Sequence, residues 1–463
     1  MFERVASDAA RFRGGVGRRP QRPDQTYPNA LASFDAPTPE AGMSAEAVIQ
    51  ELVERASPGL HATTGPRFFG WVIGSSHPVG VAADWLTAAW GQNAGNHTAA
   101  PAASAAEAVA ARWLLDLLDL PREASIGFVT GATVANFVCL AAARSEVLRR
   151  VGWDVERDGL FGAPPIHVVI GAEAHTTVFS ALQFLGLGHD RVIQVAADDQ
   201  GRMRPDALDR ALAPCKGPLI VVTQAGQLNT GAFDDHAGIV PRARDHGAWV
   251  HVDGAFGLWA RASPAQAHLG AGIEGADSWA TDGHKWLQTP YDCGYAIVRD
   301  ASAHRRAMTI AASYLPGAAE GERDPSHYVP ELSRRARGFA TWAMLRHLGR
   351  AGIASMVEGH CALARHLAGR LGEEPGIRIV NDVVLNQVLV RFGADATRPV
   401  GDDLTDRTIR RIQDDATLFA GGARWNGEWV MRVSIISHPT TPADIDRSAD
   451  AILRAWRDVR TPR

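Results

Sequence analysis

The chain has 463 residues, 46% of them hydrophobic, with a formal net charge of −4. That length calls for two or three domains with sizeable cores, and scattered basic residues with near-neutral charge exclude an electrostatic footprint for nucleic acid, leaving a small molecule as the expected partner. Cys139, Cys215, Cys293 and Cys361 lie far apart with no CxxC spacing, so neither a disulfide framework nor a metal site is expected, and a cytoplasmic setting fits.

The N-terminal stretch MFERVASDAARFRGGVGRRPQR carries arginines but lacks the apolar core and cleavage site of a secretory signal. It reads as a flexible arm or a first helix. Residues from about 20 to 65 are rich in Pro, Ala and acidic residues and hold one predicted helix, MSAEAVIQELVERA, with Ser44 as its cap. Residues 1–65 therefore form an expected N-terminal arm, of a composition that suits wrapping a partner subunit. No stretch approaches about eighteen consecutive apolar residues without a charge, so no membrane span is expected.

From about 121 to 300, short β-branched runs alternate with helical stretches: IHVVIG, DRVIQVAA, PLIVVTQ, AWVHVDG, DSWATDG and CGYAIVRD are the predicted strands. This alternation predicts an α/β domain built on a mostly parallel sheet. PDALDRALA opens with proline at its first helical position and DHAGIVPRARDHG closes with glycine, the expected helix punctuation. Beyond about 335 the pattern changes to longer helices, GFATWAMLRHLGR and SMVEGHCALARHLAGRL, then two predicted strands, VVLNQVLVRF and EWVMRVSII, and a last helix from TPADIDRSADAILRAW. The expected division is a large domain over 66–335 and a small α+β domain over 336–463. Between them PGAAEGERDPSHYVPEL, residues 316–332, is a polar connection of a length often given to function.

Four sequence features carry chemistry. In WATDGHKWL, Lys285 follows an apolar strand; a lone lysine is ordinarily a surface charge, but a buried amine becomes nucleophilic toward an aldehyde. In AWVHVDGAFG, Asp253 ends another strand. It reads either as a turn aspartate or as a carboxylate for a ligand at the carboxyl ends of the strands. The run GFVTGATVANFVCLAAAR takes a strand through Thr130-Gly131-Ala132-Thr133 into a helix, an arrangement that offers backbone N–H groups to a phosphate. In GAEAHTTVFSAL, His175 stands between strand and helix, as a helix cap or as an imidazole stacked on a flat ring.

The order of phosphate turn, histidine, strand-end aspartate and His-Lys resembles the group II decarboxylases that use pyridoxal 5′-phosphate (PLP), the aromatic-amino-acid, glutamate and histidine decarboxylases. The likeness runs from about Pro66 to the C-terminus through GPRFFGWV, TGATVANFV, EAHTTVFSAL, NTGAFDD, HVDGAFG, DGHKWLQTPYDCG, ELSRRARGF and MRVSIIS with TPADID. It implies the fold type I architecture of PLP-dependent transferases: a large domain with a mostly parallel seven-stranded sheet, and a small C-terminal α+β domain. By position, the resemblance implies that Lys285 holds PLP as a Schiff base, Asp253 pairs with the pyridine nitrogen, Ala255 packs under the ring and His175 stacks on its other face. Ala132, Thr133 and His284 would contact the phosphate, and Arg432 would bind the substrate α-carboxylate. Tyr314, 29 residues after Lys285, matches the family tyrosine that returns a proton to Cα.

One departure lies before GAFD, where the family often has a threonine near the cofactor's phenolic oxygen. This chain has Leu228, with Asn229 or the backbone as the substitute. The resemblance implies decarboxylation of an L-amino acid to its amine and carbon dioxide, in a homodimer with the active site near the interface. Trp71 and His97 fall in segments that line the family pocket, and with Phe69 and Trp90 they favour an aromatic substrate over glutamate. Decarboxylation coupled to oxidative deamination, which releases an aldehyde, is the competing outcome; another lyase of the same fold type also stays open. A non-catalytic PLP-binding homologue is the reading of a different class, opposed by the joint retention of Lys285, Asp253 and Arg432.

Overall fold

The structure is a computed structural model and describes residues 1–309 and 322–461. It divides into two compact units: one comprises Met1–Ser75, Arg365–Val380 and Val388–Arg463, the other Ser76–Ala364 with Asn381–Gln387.

The second unit is built on the expected seven-stranded sheet. Its strands are β1 Ser125–Val129, β2 His167–Gly171, β3 Ile193–Val195, β4 Leu219–Gln224, β5 Trp249–Asp253, β6 Ser278–Asp282 and β7 Gly294–Val298, ordered β1-β7-β6-β5-β4-β2-β3. Only β7 runs against its neighbours. The five parallel strands and β1 therefore all end on the same edge, where ligands of such sheets are held. Strands β1, β4, β5, β6 and β7 are buried along their whole length, which explains their near-continuous apolar composition. Apolar side chains of the Ala132–Arg149, Thr176–Phe184 and Ala301–Met308 helices pack with these strands into one core.

At the carboxyl edge, the register sets Asp253 beside Gln224 on one side and Ala280 on the other, while Val129 and Asp282 both face Gly294. Any Cβ at Gly294 would overlap the Gly131 backbone. Glycine there is what lets the β1 turn close over β7. Beneath the turn, the fully buried Arg334 binds Glu107 at 2.7 Å and the Phe128 carbonyl at 2.8 Å, so the ELSRRARGF segment anchors β1 through a buried ion pair with several hydrogen bonds.

The first unit carries the antiparallel sheet β10-β11-β9-β8, formed by β8 Ile377–Ile379, β9 Gln387–Phe392, β10 Gly421–Trp425 and β11 Glu428–Ser434. Here the structure has two strands more than the sequence predicts. Strand β8 is three residues long and β10 opens on two glycines, and neither gives the β-branched run that marks a strand. Its N-terminal residues are helical over Phe2–Gly15, and Ser44 caps Ala45–Ala56 as predicted. The last helix, Pro442–Arg460, starts on a capping box between Thr441 and Asp444. The two long helices expected after 335 form one run, Gly338–Gly372, broken at Gly349 with φ +60°.

Three buried histidines of the second unit are held neutral by burial: His236 is lowered to about 4, and His251 and His304 to about 3. Between those values and the ordinary 6.5 the unfolded chain binds protons that the folded chain refuses, so stability falls on acidification, by on the order of 1 kcal/mol per pH unit for each histidine. Asp234, raised by burial to about 6, acts in the opposite direction below pH 6 and offsets one such increment. Urea midpoints measured from pH 7 to pH 4 should fall steadily, with a shallower fall in His304→Gln. A flat profile over that range would contradict the neutral burial of these rings.

Candidate active site

The His-Lys motif leaves β6 through a tight turn, and Lys285 keeps its side chain 16% exposed. Its Nζ lies 2.9 Å from Asp282 Oδ2, while Oδ1 of the same carboxylate accepts the Ala132 N–H at 2.6 Å. Asp282 thus ties the lysine to the first turn of the Ala132–Arg149 helix, whose N-cap, Gly131, provides no side-chain acceptor. Thr133 follows, half-buried, in that first turn. His284 donates from Nδ1 to the Cys293 carbonyl at 2.9 Å and tilts against Tyr291 at 4.3 Å. Burial lowers its pKa, so its free-base form is favoured.

One strand away, Asp253 is 5% exposed. Its Oδ1 accepts the Ala255 N–H at 3.2 Å and its Oδ2 faces Asn136 Nδ2 at 3.4 Å. Among the described residues no cationic side chain comes within ion-pair distance of it. A buried carboxylate with only neutral donors is costly, and a protonated ring nitrogen would offset that cost.

His175 does serve as the N-cap of Thr176–Phe184: its Nδ1 accepts the Thr177 N–H at 3.3 Å and lies 2.8 Å from Thr177 Oγ1. The cap and the ring-stacking readings are compatible, because capping uses Nδ1 and leaves the proton of the neutral ring on Nε2. Asn229 sits in a turn organised by Gln227, whose Oε1 accepts the N–H groups of Asn229 and Thr230. His97 is clasped by two carboxylates, Asp324 at 2.7 Å from Nδ1 and Glu322 at 3.1 Å from Nε2.

Lys285, His284, Asp253, Ala255, Ala132, Thr133, His175, Asn229 and His97 all belong to the second unit. Arg432 and Trp71 belong to the first. Arg432 is half-buried on β11 opposite Gly421, and burial lowers its pKa to about 10. Trp71 is 56% exposed, with φ +54°, and stacks on Phe419 at 5.6 Å. Tyr314 lies outside the described residues. Two residues escaped the sequence reading. Asp282 stood in the quoted DGHKW, and its spacing of three from the lysine was the available signal; Asn136 looks in sequence like any polar residue of an amphipathic helix.

A lysine amine, a buried strand-end carboxylate and a helix N-terminus stand on one sheet edge, a set of groups that fits PLP. The chain belongs to the family described as the pyridoxal-dependent decarboxylase conserved domain, which it matches over residues 28–393. It is 27% identical to the aromatic-L-amino-acid decarboxylase of Bacillus atrophaeus over 88% of this chain and 84% of that one. It is likewise 27% identical to the aromatic-L-amino-acid decarboxylase of Sus scrofa, over 94% and 91%. Its fold matches that of Oryza sativa TDC, crystallised with PLP and tryptamine, with a TM-score of 0.92, 22% identity and coverage of 99% and 97%. The protein is accordingly a PLP-dependent carboxy-lyase, and the uncompensated Asp253 carboxylate is the feature here that PLP best fits.

The turn that carries Asp253 into Ala255 depends on Gly257. A Cβ there would overlap the carbonyl of Ala225, and neither backbone can yield without moving the Asp253 loop. Gly257→Ala should lower the melting temperature and, in the folded fraction, reduce the PLP retained after dialysis several-fold. Retention equal to wild type would show that the loop position does not matter for holding the cofactor.

Proposed function

We propose that this decarboxylase acts on an aromatic L-amino acid, releasing the amine and carbon dioxide. The observation that supports the site assignment is the buried Asp253 at the end of one strand with Lys285, paired to Asp282, in the turn after the neighbouring strand; the aromatic preference is supported by the names of the relatives in two organisms. When bound, PLP supplies an electron-accepting ring.

The residues of the second unit divide the work of holding it. Lys285 would hold the cofactor through Nζ, and Asp282 would receive that ammonium whenever the lysine is displaced. Asp253 would hold the ring nitrogen. The Gly131–Thr133 turn and His284 would lie at the phosphate, although the Ala132 N–H already serves Asp282, which leaves the following amides of the helix start for the phosphate oxygens. His175 would cover the ring face with its proton on Nε2, Ala255 would lie on the opposite face, and Asn229 would stand near the phenolic oxygen. For Arg432, Trp71 and His97 as substrate-binding groups, and for Tyr314 as the proton donor, support comes from the sequence resemblance.

Incubation with the common amino acids, following carbon dioxide, amine and aldehyde together, tests the reading. Tryptophan, tyrosine or 3,4-dihydroxyphenylalanine should give amine and carbon dioxide in equal amounts, with no turnover by Lys285→Ala. Turnover of glutamate alone would overturn the aromatic assignment, and aldehyde with oxygen consumption would replace amine formation by the oxidative outcome.

The protein is further proposed to be a homodimer. The Pro78–Trp90 helix exposes Leu86 and Trp90, at 49% and 52%, on a surface shared with Trp342 at 39%, and also exposes Val81 and Trp85. An apolar patch of that kind on a monomer calls for a cover, and a second copy provides one symmetrically. Light scattering should give twice the chain mass, and Trp90→Glu should shift it toward the monomer; a stable, active wild-type monomer would rule the dimer out.

A further inference from the structure

Beneath Asp253 runs a line of buried polar side chains that the reading above leaves without a role. Trp249 on β5 donates from Nε1 to Ser278 Oγ at 2.9 Å, and Ser278 Oγ lies 2.9 Å from His251 Nδ1. His251 Nε2 is 2.9 Å from Asn136 Oδ1, and Asn136 Nδ2 faces Asp253 Oδ2 at 3.4 Å. Ser278, His251 and Asn136 are 0% exposed and Trp249 is 2% exposed. The strand register supplies the spacing, since His251 and Ser278 are direct partners across β5 and β6.

The chemistry of the carboxylate end orients the line. An indole N–H can only donate and a carboxylate can only accept. Ser278 Oγ accepts from Trp249 and keeps a proton and a second lone pair, so its bond with His251 Nδ1 takes its direction from the carboxylate end: Asn136 turns its N–H₂ to Asp253 and presents Oδ1 to His251. The ring proton then sits on Nε2 and is donated to Asn136 Oδ1, and Nδ1 accepts the Ser278 hydroxyl. Reversal would put the proton on His251 Nδ1 and flip the amide, setting its carbonyl oxygen against the carboxylate. A neutral imidazole is required for a single orientation, and full burial provides it.

We propose that His251 and Asn136 are positioning residues for the cofactor: through this line they donate an N–H to Asp253 Oδ2 and hold that carboxylate aimed at the ring site. The inference rests on the assignment of Asp253 to the ring nitrogen, and it adds two residues that never touch the ring. Asn136 also faces Thr177 Oγ1 at 3.4 Å, and Thr177 Oγ1 lies 2.8 Å from His175 Nδ1. The same amide therefore reaches the elements on both sides of the ring site.

Two measurements test this. In the apoprotein labelled with 15N-histidine, the His251 resonances should show the neutral Nε2–H tautomer from pH 8 to about pH 5, well above the titration of a ring so buried. An Nδ1–H tautomer would overturn the line of donors whatever Asp253 does. Equilibrium binding to the apoenzyme, read by protein fluorescence, should then be weakened about ten- to a hundredfold by Asn136→Leu for PLP, the scale of a lost hydrogen bond to a charged group. A PLP analogue with carbon in place of the ring nitrogen should bind wild type and variant alike. If Asp253→Ala weakens PLP binding and Asn136→Leu does not, the positioning role fails while the Asp253 assignment stands. If Asp253→Ala itself leaves PLP binding unchanged, the assignment beneath it fails.

Discussion

Two buried carboxylates, Asp253 and Asp282, stand at the ends of β5 and β6 on the same sheet edge, and the groups packed around them supply the donors that each lacks out of water. A buried carboxylate without compensation is expensive enough that it would take up a proton or unfold its surroundings. Asp282 is compensated internally, by the Lys285 ammonium at 2.9 Å and the Ala132 N–H at 2.6 Å. Asp253 has only amide donors, from Ala255 and Asn136. The two carboxylates thus differ: Asp282 has a lysine amine beside it, and the hydrogen-bond partners of Asp253 are amides, which is the basis on which the ring nitrogen is proposed for it.

The topology makes this arrangement possible. Lys285, Asp253 and the Gly131 turn are separated by more than thirty residues from one another along the chain, yet strands running the same way bring their ends to one line. An antiparallel meander would send alternate ends to opposite edges. The one antiparallel strand, β7, contributes a glycine at this edge instead of a side chain, and so opens the space in which the Gly131 turn sits.

Much of this was legible in the sequence, for identifiable reasons. The buried strands of the large sheet announced themselves because burial on both faces demands unbroken apolar runs, and Asp253 and Lys285 stood out as polar residues at the ends of such runs. His175 was legible as a helix cap, since it stands between a strand and a helix and its Nδ1 accepts the Thr177 N–H. Strands β8 and β10 were not legible, because a three-residue strand and one opening on Gly421-Gly422 owe their pairing to neighbours rather than to their own composition. Asn136 and His251 were hidden for a different reason: a hydrogen-bonded line across three elements leaves no periodicity within any one of them. Asp282 has only its spacing of three from Lys285 to mark it, because their contact is made by the turn between them.

The chain contains just two lysines, Lys216 and Lys285, and Lys216 is exposed while Lys285 sits at the sheet edge. That sparseness gives an unusually clean test of where the cofactor is held. The protein loaded with PLP should be reduced with borohydride, digested and mapped by mass spectrometry. The cofactor mass should be found on the peptide containing Lys285 and nowhere else, and should be lost from it when Asp253→Ala prevents loading. Label on Lys216 or on the N-terminal amine, with Lys285 unmodified, would contradict the placement of the cofactor between Lys285 and Asp253.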